Sequence, residues 1–349
     1  MANPPNLPPS ALLKLPLPIC LPLANSDPVK LTVAIPTYNG ATRLPPVLDR
    51  LRTQANVPIA WEVLVVNNNS TDDTVGVVEQ AQLDWPADIP LRLVHESQQG
   101  AAFARIRAIS EAQGELVGLL DDDVLPDADW VAQIWKFAQA YPQAGAYGSQ
   151  IHGEFEVPPP ERFERIAGFF GITERGPDPL LYTPESKMLP PSAGLVVRRQ
   201  AWLNAVPPRP FLAGRSPHSL FNNSEDLEAI LHIQNAGWEI WYNPAMVSFH
   251  QIPARRLSRE SLRFIMRSTG LARHYIRMLR FAPWQRPGVL LAGLLRDCYK
   301  AACFFWHHRD RLATDVVAAG EMEFLRYSII SPLYVWREHW RRARQRGRR

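Results

Sequence analysis

Short β-branched apolar runs alternate with amphipathic stretches through the first 150 residues, and each run breaks off in polar residues. Residues 31–35 (LTVAI) read as a strand stopped by Pro36, and a polar turn at Thr37-Tyr38-Asn39-Gly40 precedes a helix opening at Leu44. Residues 61–66 repeat the pattern and run into Asn67-Asn68-Asn69-Ser70-Thr71-Asp72-Asp73-Thr74, where Ser70 or Thr71 can cap a helix carrying Val75, Val77 and Val78. A third strand at 91–94 leads through Gln99-Gly100 to a helix over 101–112, and a fourth strand covers 116–120. This alternation predicts an α/β fold with an open, mostly parallel central sheet flanked by helices, whose ligands bind beyond the carboxyl ends of the strands. Tyr38, the 67–69 run, Arg105 and the acidic run at 121–123 then share one edge.

Farther on, residues 130–140 read as a helix and 147–151 as a strand. Between Gly153 and Leu189 the chain carries six prolines with Phe163, Phe169, Phe170 and Tyr182 among them, either a wall for an acceptor cleft or a surface excursion with aromatic anchors. Ser192-Ala193-Gly194 offers small residues for close approach of a substrate before a strand at 195–198. Ser224 is placed to cap a helix that opens with Glu225 and Asp226. A strand at 238–242 should end at Asn243-Pro244, with 247–250 following. After about residue 260 the pattern turns to long helices, 261–279 and 288–306. Arg296, Asp297 and Lys300 interrupt the second, and no run of about 18 uncharged apolar residues occurs, which opposes a membrane span.

With 349 residues, 46% of them hydrophobic, the chain can bury one large core or two modest ones. Eight prolines in the first thirty residues exclude a single helix and leave no continuous apolar signal segment, so 1–29 is expected to be a flexible leader. Cys20, Cys298 and Cys303 form no CxxC and suit a reducing compartment without structural zinc. The net charge of +4 is concentrated late: residues 337–349 hold seven arginines and one glutamate, beside Trp336 and Trp340. That tail suits an anionic membrane surface or is simply solvated.

The chemistry centres on Asp121-Asp122-Asp123, at the end of an apolar run. Carboxylates this close repel unless a cation intervenes, no Lys or Arg follows within ten residues, and hard oxygen donors without thiolates favour magnesium or manganese. A solvated acidic turn is the plainer alternative. Neither GxGxxG after the first strand nor GxxxxGK[ST] is present, so a nucleotide would be held through metal and carboxylates.

Together, VAIPTYNG (33–40), VLVVNNNSTDDT (63–74), QGAAFARIRAI (99–109), LLDDDVLPDADW (119–130), PPSAGLVVRR (190–199) and SEDLEAILHIQNAGWEIWYNPAMVSFH (224–250), followed by Arg255-Arg256, resemble an inverting family 2 glycosyltransferase with the GT-A nucleotide-sugar fold. The resemblance covers about 30–260, expected as the catalytic domain, with 261–349 as a helical, basic extension. It implies that Asp121 and Asp123 form the Asp-x-Asp site for Mn2+ or Mg2+, with Asp122 beside the nucleotide and His250 completing the metal shell or touching phosphate. It implies that Pro36, Thr37, Tyr38, Asn67 and Asn68 surround the nucleoside, Asn67-Asn68 standing where the family usually has a carboxylate. Arg105 would face base and phosphate, and Arg255 and Arg256 the leaving diphosphate. Ser192, Ala193, Gly194 and Glu225 would line the sugars, and Asp226 would be the base that deprotonates the acceptor; helix capping alone is the alternative for the Glu225-Asp226 pair. The expected donor is a UDP-sugar, the acceptor a carbohydrate or lipid-linked glycan, and the setting cell-surface or extracellular polysaccharide synthesis at the inner face of the cell membrane. A metal-dependent nucleotidyltransferase and a non-catalytic glycan-binding protein are the competing readings.

Overall fold

The structure, a computed structural model, describes residues 28–186, 188–214 and 224–346. Residues 1–27, most of the expected leader, and 347–349 lie outside the described residues. The elements in chain order are β1 (Leu31–Thr37), α1 (Leu44–Arg52), β2 (Trp61–Asn67), α2 (Thr74–Gln82), β3 (Leu91–His95), α3 (Ala101–Glu111), β4 (Leu116–Leu119), β5 (Val124–Pro126) and α4 (Trp130–Ala140). They continue with β6 (Ala144–Phe155), β7 (Leu180–Leu181), β8 (Leu195–Arg198), α5 (Arg199–Ala205), α6 (Glu225–Asn235), β9 (Glu239–Ile252), α7 (Arg259–Leu279), α8 (Arg286–His308) and α9 (Val316–Arg346).

The described strands form one sheet in the order β3-β2-β1-β4-β8-β6-β9-β5, with β7 also on β9. Strands β1 to β4 are parallel, β8 is antiparallel to both its neighbours, and β6 and β9 run parallel to each other. Alternation along the strands divides the core in two. Leu31, Val33, Ile35, Val63 and Val65 meet α1, α2 and α4 on one face, whereas Ala34, Leu64, Val66 and Leu119 meet α3, α5 and α6 on the other. The carboxyl ends of β1, β2, β3, β4, β6 and β9 and the amino end of β8 therefore open on a single edge, and the C-terminal helices pack beside it.

Two expectations about the elements are corrected. Asn243-Pro244 does not end a strand: β9 continues to Ile252, and a register jump from Ser149↔Asn243 to Gln150↔Val247 loops out Pro244, Ala245 and Met246. The bulge removes the proline's missing N–H from the ladder. Ser70 and Thr71 do not cap α2, because the loop after β1 takes them: Asn39 N–H donates to Ser70 Oγ (2.9 Å) and Thr71 N–H to Asn39 Oδ1 (2.8 Å). The Thr74 N–H donates instead to Asp72 Oδ1 (3.2 Å). Of the two readings left open for the 153–189 segment, the anchor reading describes its buried phenylalanines. Phe163, Ile166 and Phe170 are buried against Leu262, Ile265 and Met266 of α7 and Val317 of α9.

Gly194 has a packing role in the fold. Its φ is +72°, and a Cβ there would lie 2.6 Å from Ser149 Oγ. That hydroxyl donates to Gly194 O (2.7 Å) and accepts from Trp130 Nε1 (3.0 Å), locking β8 to β6 and α4. Gly194→Ala should therefore destabilise the fold by about 1–3 kcal/mol through strain and the clash, read as a lowered urea midpoint with an unchanged m-value.

Candidate active site

After β4 the chain turns, with Val124 N–H donating to Asp121 O (3.1 Å). Asp121 and Asp123 stay partly exposed, and Asp122 is buried. The run has no basic neighbour in sequence, yet each carboxylate meets a guanidinium from elsewhere. Arg43 binds Asp122 through two nitrogens (Nε–Oδ1 3.0 Å, Nη2–Oδ2 2.8 Å), Arg105 Nη2 lies 3.3 Å from Asp121 Oδ1, and Arg256 Nη1 lies 3.4 Å from Asp123 Oδ2. Thr37 Oγ1 also donates to Asp122 Oδ2 (2.6 Å). Burial raises the Asp122 pKa, opposed by the hydrogen bonds and charge of Arg43. Asp122, expected beside the nucleotide, is thus turned inward as the tie between the β1 loop and the acidic turn. Arg43 was missed in the sequence; its only signal is that no other basic residue stands between β1 and α1.

Asn67 and Asn68 follow β2 at the same edge, but their amides shape loops. Ser70 N–H donates to Asn67 Oδ1 (2.9 Å). Asn68 Nδ2 donates to Glu96 O (3.0 Å) and Gln98 O (2.8 Å), while its Oδ1 accepts from Gly100 N–H (2.8 Å). Each of these side-chain carbonyls therefore accepts one backbone N–H of its own loop region, Asn67 from Ser70 and Asn68 from Gly100. Pro36 lies within β1, Thr37 is buried against Asp122, and Tyr38 is exposed at the cleft.

The second acidic centre comes from α6. Arg105, on α3, reaches Glu225 Oε1 through Nη1 (2.6 Å) while its Nη2 holds Asp121, so one buried guanidinium joins the two acidic segments. Asp226 lies beside them: Oδ2 accepts from Ser192 N–H (3.0 Å) and Oδ1 from Leu227 N–H (2.8 Å). Burial raises its pKa, the Glu225 charge raises it further, and Arg105 and the two N–H donors pull it back. Ser224, expected as the cap, has φ +78° and makes no side-chain cap bond. That left-handed turn carries the hydroxyl away, and Asp226 accepts a first-turn N–H instead. Ser192 and Ala193 are buried at the amino end of β8. Residues 215–223, before α6, lie outside the described residues.

His250 completes the edge. Its Nδ1 faces the Phe170 carbonyl (2.7 Å), which can only accept, so Nδ1 carries the proton and Nε2 is an acceptor. Nε2 lies 2.9 Å from Arg256 Nη1 and 3.5 Å from Asp123 Oδ1. The Arg256 guanidinium thus lies between an imidazole nitrogen and a carboxylate, acceptors that also suit a hard divalent ion. Among the described residues no group of three or more His, Cys, Asp or Glu forms a metal cage. Ions of the magnesium type typically use one or two carboxylates and take further ligands from phosphates, so one or both of the partly exposed Asp121 and Asp123 could serve an ion completed by its substrate. A cleft of about 1180 Å³ opens here, lined by Tyr38, Arg43, Asp123, Phe155, Arg255 and Arg256. Arg255 is exposed at its rim. Glu154 and Gln251 also line it and, like Phe155, were not singled out in the sequence, because nothing there shows how far β6 and β9 extend.

The sheet order, the edge site and the flanking helices define a GT-A fold. In the structure of the mannosyltransferase PcManGT from Pyrobaculum calidifontis, in complex with GDP-Man and Mn2+, the same architecture aligns over 88% of this chain and 89% of that one, at 21% identity and a TM-score of 0.55. Residues 32–195 match the sequence model of Glycosyl transferase family 2. An uncharacterized glycosyltransferase of Escherichia coli (strain K12), YibD, is 34% identical over 99 residues, 28% of this chain and 27% of that protein. A dolichyl-phosphate beta-glucosyltransferase of Trichomonas vaginalis, ALG5C, is 27% identical over 157 residues, 42% of this chain and 45% of that protein. The chain therefore spans less than half the length of either relative.

Arg105→Met should leave Glu225 and Asp121 without their shared cation and lower stability by about 3–5 kcal/mol, as for other buried pairs cut on one side. Adding Glu225→Gln to that variant should restore part of the loss in chemical denaturation.

Proposed function

We propose that the protein is an inverting glycosyltransferase that moves a sugar from a nucleoside-diphosphate donor, a UDP-sugar by family resemblance, to a carbohydrate or lipid-linked acceptor. One observation carries the reading: Arg105 joins the Asp121–Asp123 turn to the Glu225-Asp226 helix start, so a diphosphate-side acidic centre and a desolvated carboxylate face the same edge. The match of residues 32–195 to Glycosyl transferase family 2 supports it.

In this reading Asp226 accepts the proton of the acceptor hydroxyl as that oxygen bonds to the anomeric carbon. The bond from that carbon to the β-phosphate oxygen breaks on the opposite face, and its electron pair leaves with the nucleoside diphosphate. Ser192 N–H and Leu227 N–H fix the Asp226 carboxylate, and its raised pKa makes it a stronger base than a solvated aspartate. Arg255 and Arg256 offer positive charge to the departing diphosphate. Mn2+ or Mg2+ held by Asp121 and Asp123, with His250 nearby, would supply further charge neutralisation to it. The role in cell-surface or extracellular polysaccharide synthesis rests on the same family resemblance.

Asp226→Asn should keep donor affinity and lower turnover by roughly 10²–10⁴-fold, the scale of a positioned base, whereas Asp123→Ala should weaken manganese and donor binding together in calorimetric titration. A screen of UDP-, GDP- and dTDP-sugars with and without manganese should show nucleoside diphosphate release. Pyrophosphate from a nucleoside triphosphate would mark a nucleotidyltransferase, and glycan binding without turnover a binding protein.

The acid limb of kcat/KM should lie above the ordinary carboxylate range, because the reaction needs Asp226 ionised and its pKa is raised. Glu225→Gln removes the neighbouring negative charge and should move that limb to lower pH; an unmoved limb would show that another group titrates.

A further inference from the structure

Helix α8 is attached by one narrow side. Gly293, Asp297 and Ala301 are its buried residues, and the Asp297 carboxylate lies 2.6 Å from Arg277 Nη2 and 3.5 Å from Arg273 Nη1 on α7. Gly293 leaves room for that contact, since a Cβ there would stand 2.1 Å from Arg277 Nη1. Leu291, Leu295 and Tyr299 each lie two residues before one of these three, about half a turn round the helix. With Trp284 and Trp306 they form an apolar stripe on the side away from the protein, each side chain between 63% and 80% exposed.

The charges around this stripe are predominantly basic, with exposed Asp310 beside Arg309 (3.8 Å) as an acidic exception at one end. Arg296 and Lys300 are exposed on α8, Arg286 and Arg309 stand exposed at its two ends, and the only acid of α8 is the buried Asp297. Arg309 lies 4.9 Å from the centre of the Trp306 ring. Helix α9 repeats the combination: Ile330, Leu333, Trp336 and Trp340 are exposed, Arg337, Arg341 and Arg344 are exposed among them, and Glu338 is buried against Arg341 and Arg342. Among the described residues no helix is long and apolar enough to cross a membrane.

We infer that the outer face of α8, assisted by the arginine-rich end of α9, is a docking surface for an anionic phospholipid bilayer, with Trp284, Leu291, Leu295, Tyr299 and Trp306 seated at the depth of the headgroups. Charge complementarity selects this occupant. A second copy of the chain would bring one cationic border against another, whereas anionic headgroups neutralise Arg296, Lys300 and the arginines of α9 while the apolar stripe leaves water. Trp and Tyr suit that boundary because each has an apolar body and a polar edge. Asp297 and its two arginines hold the helix so that this stripe faces outward. The inference is independent of the proposed transfer reaction, and its test needs no turnover.

The full chain is floated with vesicles of phosphatidylcholine alone and of phosphatidylcholine with phosphatidylglycerol, at low and high salt. The expected result is flotation with the anionic vesicles, weaker but retained at high salt, because salt screens the arginines and not the apolar insertion. Leu291→Gln/Leu295→Gln/Trp306→Gln, all at exposed positions, should leave the thermal melt unchanged and lower vesicle partitioning by roughly tenfold or more. Arg296→Gln/Lys300→Gln should weaken binding chiefly at low salt. Absence of the full chain from anionic vesicles at low salt, or flotation of the triple glutamine variant equal to the parent, would overturn the inference. So would a parent dimer that the triple variant dissolves without any vesicle binding, which would assign the face to a second copy.

Discussion

Three adjacent carboxylates at the carboxyl edge of a sheet repel one another, and the fold is arranged around cancelling that repulsion. Arg43 comes from the loop after β1, Arg105 from α3 and Arg256 from the turn after β9, and each meets a different member of Asp121-Asp122-Asp123. The contacts differ in character. Asp122 is buried and held through both oxygens by Arg43, a geometry that fixes the turn relative to β1. Asp121 meets Arg105 at 3.3 Å and Asp123 meets Arg256 at 3.4 Å and His250 at 3.5 Å, longer contacts than those of Asp122, and both carboxylates stay partly exposed at the edge.

Arg105 extends that constraint to α6. Because its guanidinium is planar and carries several donors, it can contact Asp121 with one terminal nitrogen and Glu225 with the other. The start of α6 is thereby fixed beside the acidic turn, and Asp226 is placed among protein atoms with Glu225 next to it. The neighbouring negative charge and the burial both favour the protonated acid, while Arg105 and two backbone N–H groups limit the shift. Proton affinity and orientation at Asp226 therefore come from the same small set of contacts.

The C-terminal helices are part of this arrangement on one side and separate from it on the other. The inner side of α7 packs on Phe163 and Phe170, and the Phe170 carbonyl sets the His250 tautomer, so the hydrophobic packing beyond β9 reaches the edge site through one hydrogen bond. Phe264 and Ile265 of α7 also line the cleft. Helix α8 is held through a buried ion pair and leaves most of its surface outward, which is why its apolar residues have partners in neither core.

The sequence determined the alternation of strands and helices, the two-faced core and the edge on which the polar loops meet, because side-chain period and turn chemistry are local properties. It also singled out Asp121 and Asp123 at the end of an apolar run, His250 at a strand end, and Glu225 and Asp226 at a helix start, and the structure brings these residues to the same edge. Only the tertiary structure decided which of those groups remain open. The turn buries Asp122 against Arg43, the Asn68 amide is taken by the 96–100 loop, and Gly194 accommodates the Ser149 side chain. The long reach of β9, the pairing of Arg105 with two acidic segments and the outward stripe of α8 belong to the same category. Each depends on contacts between residues far apart in the chain, and neither periodicity nor local propensity carries information about a partner at that distance.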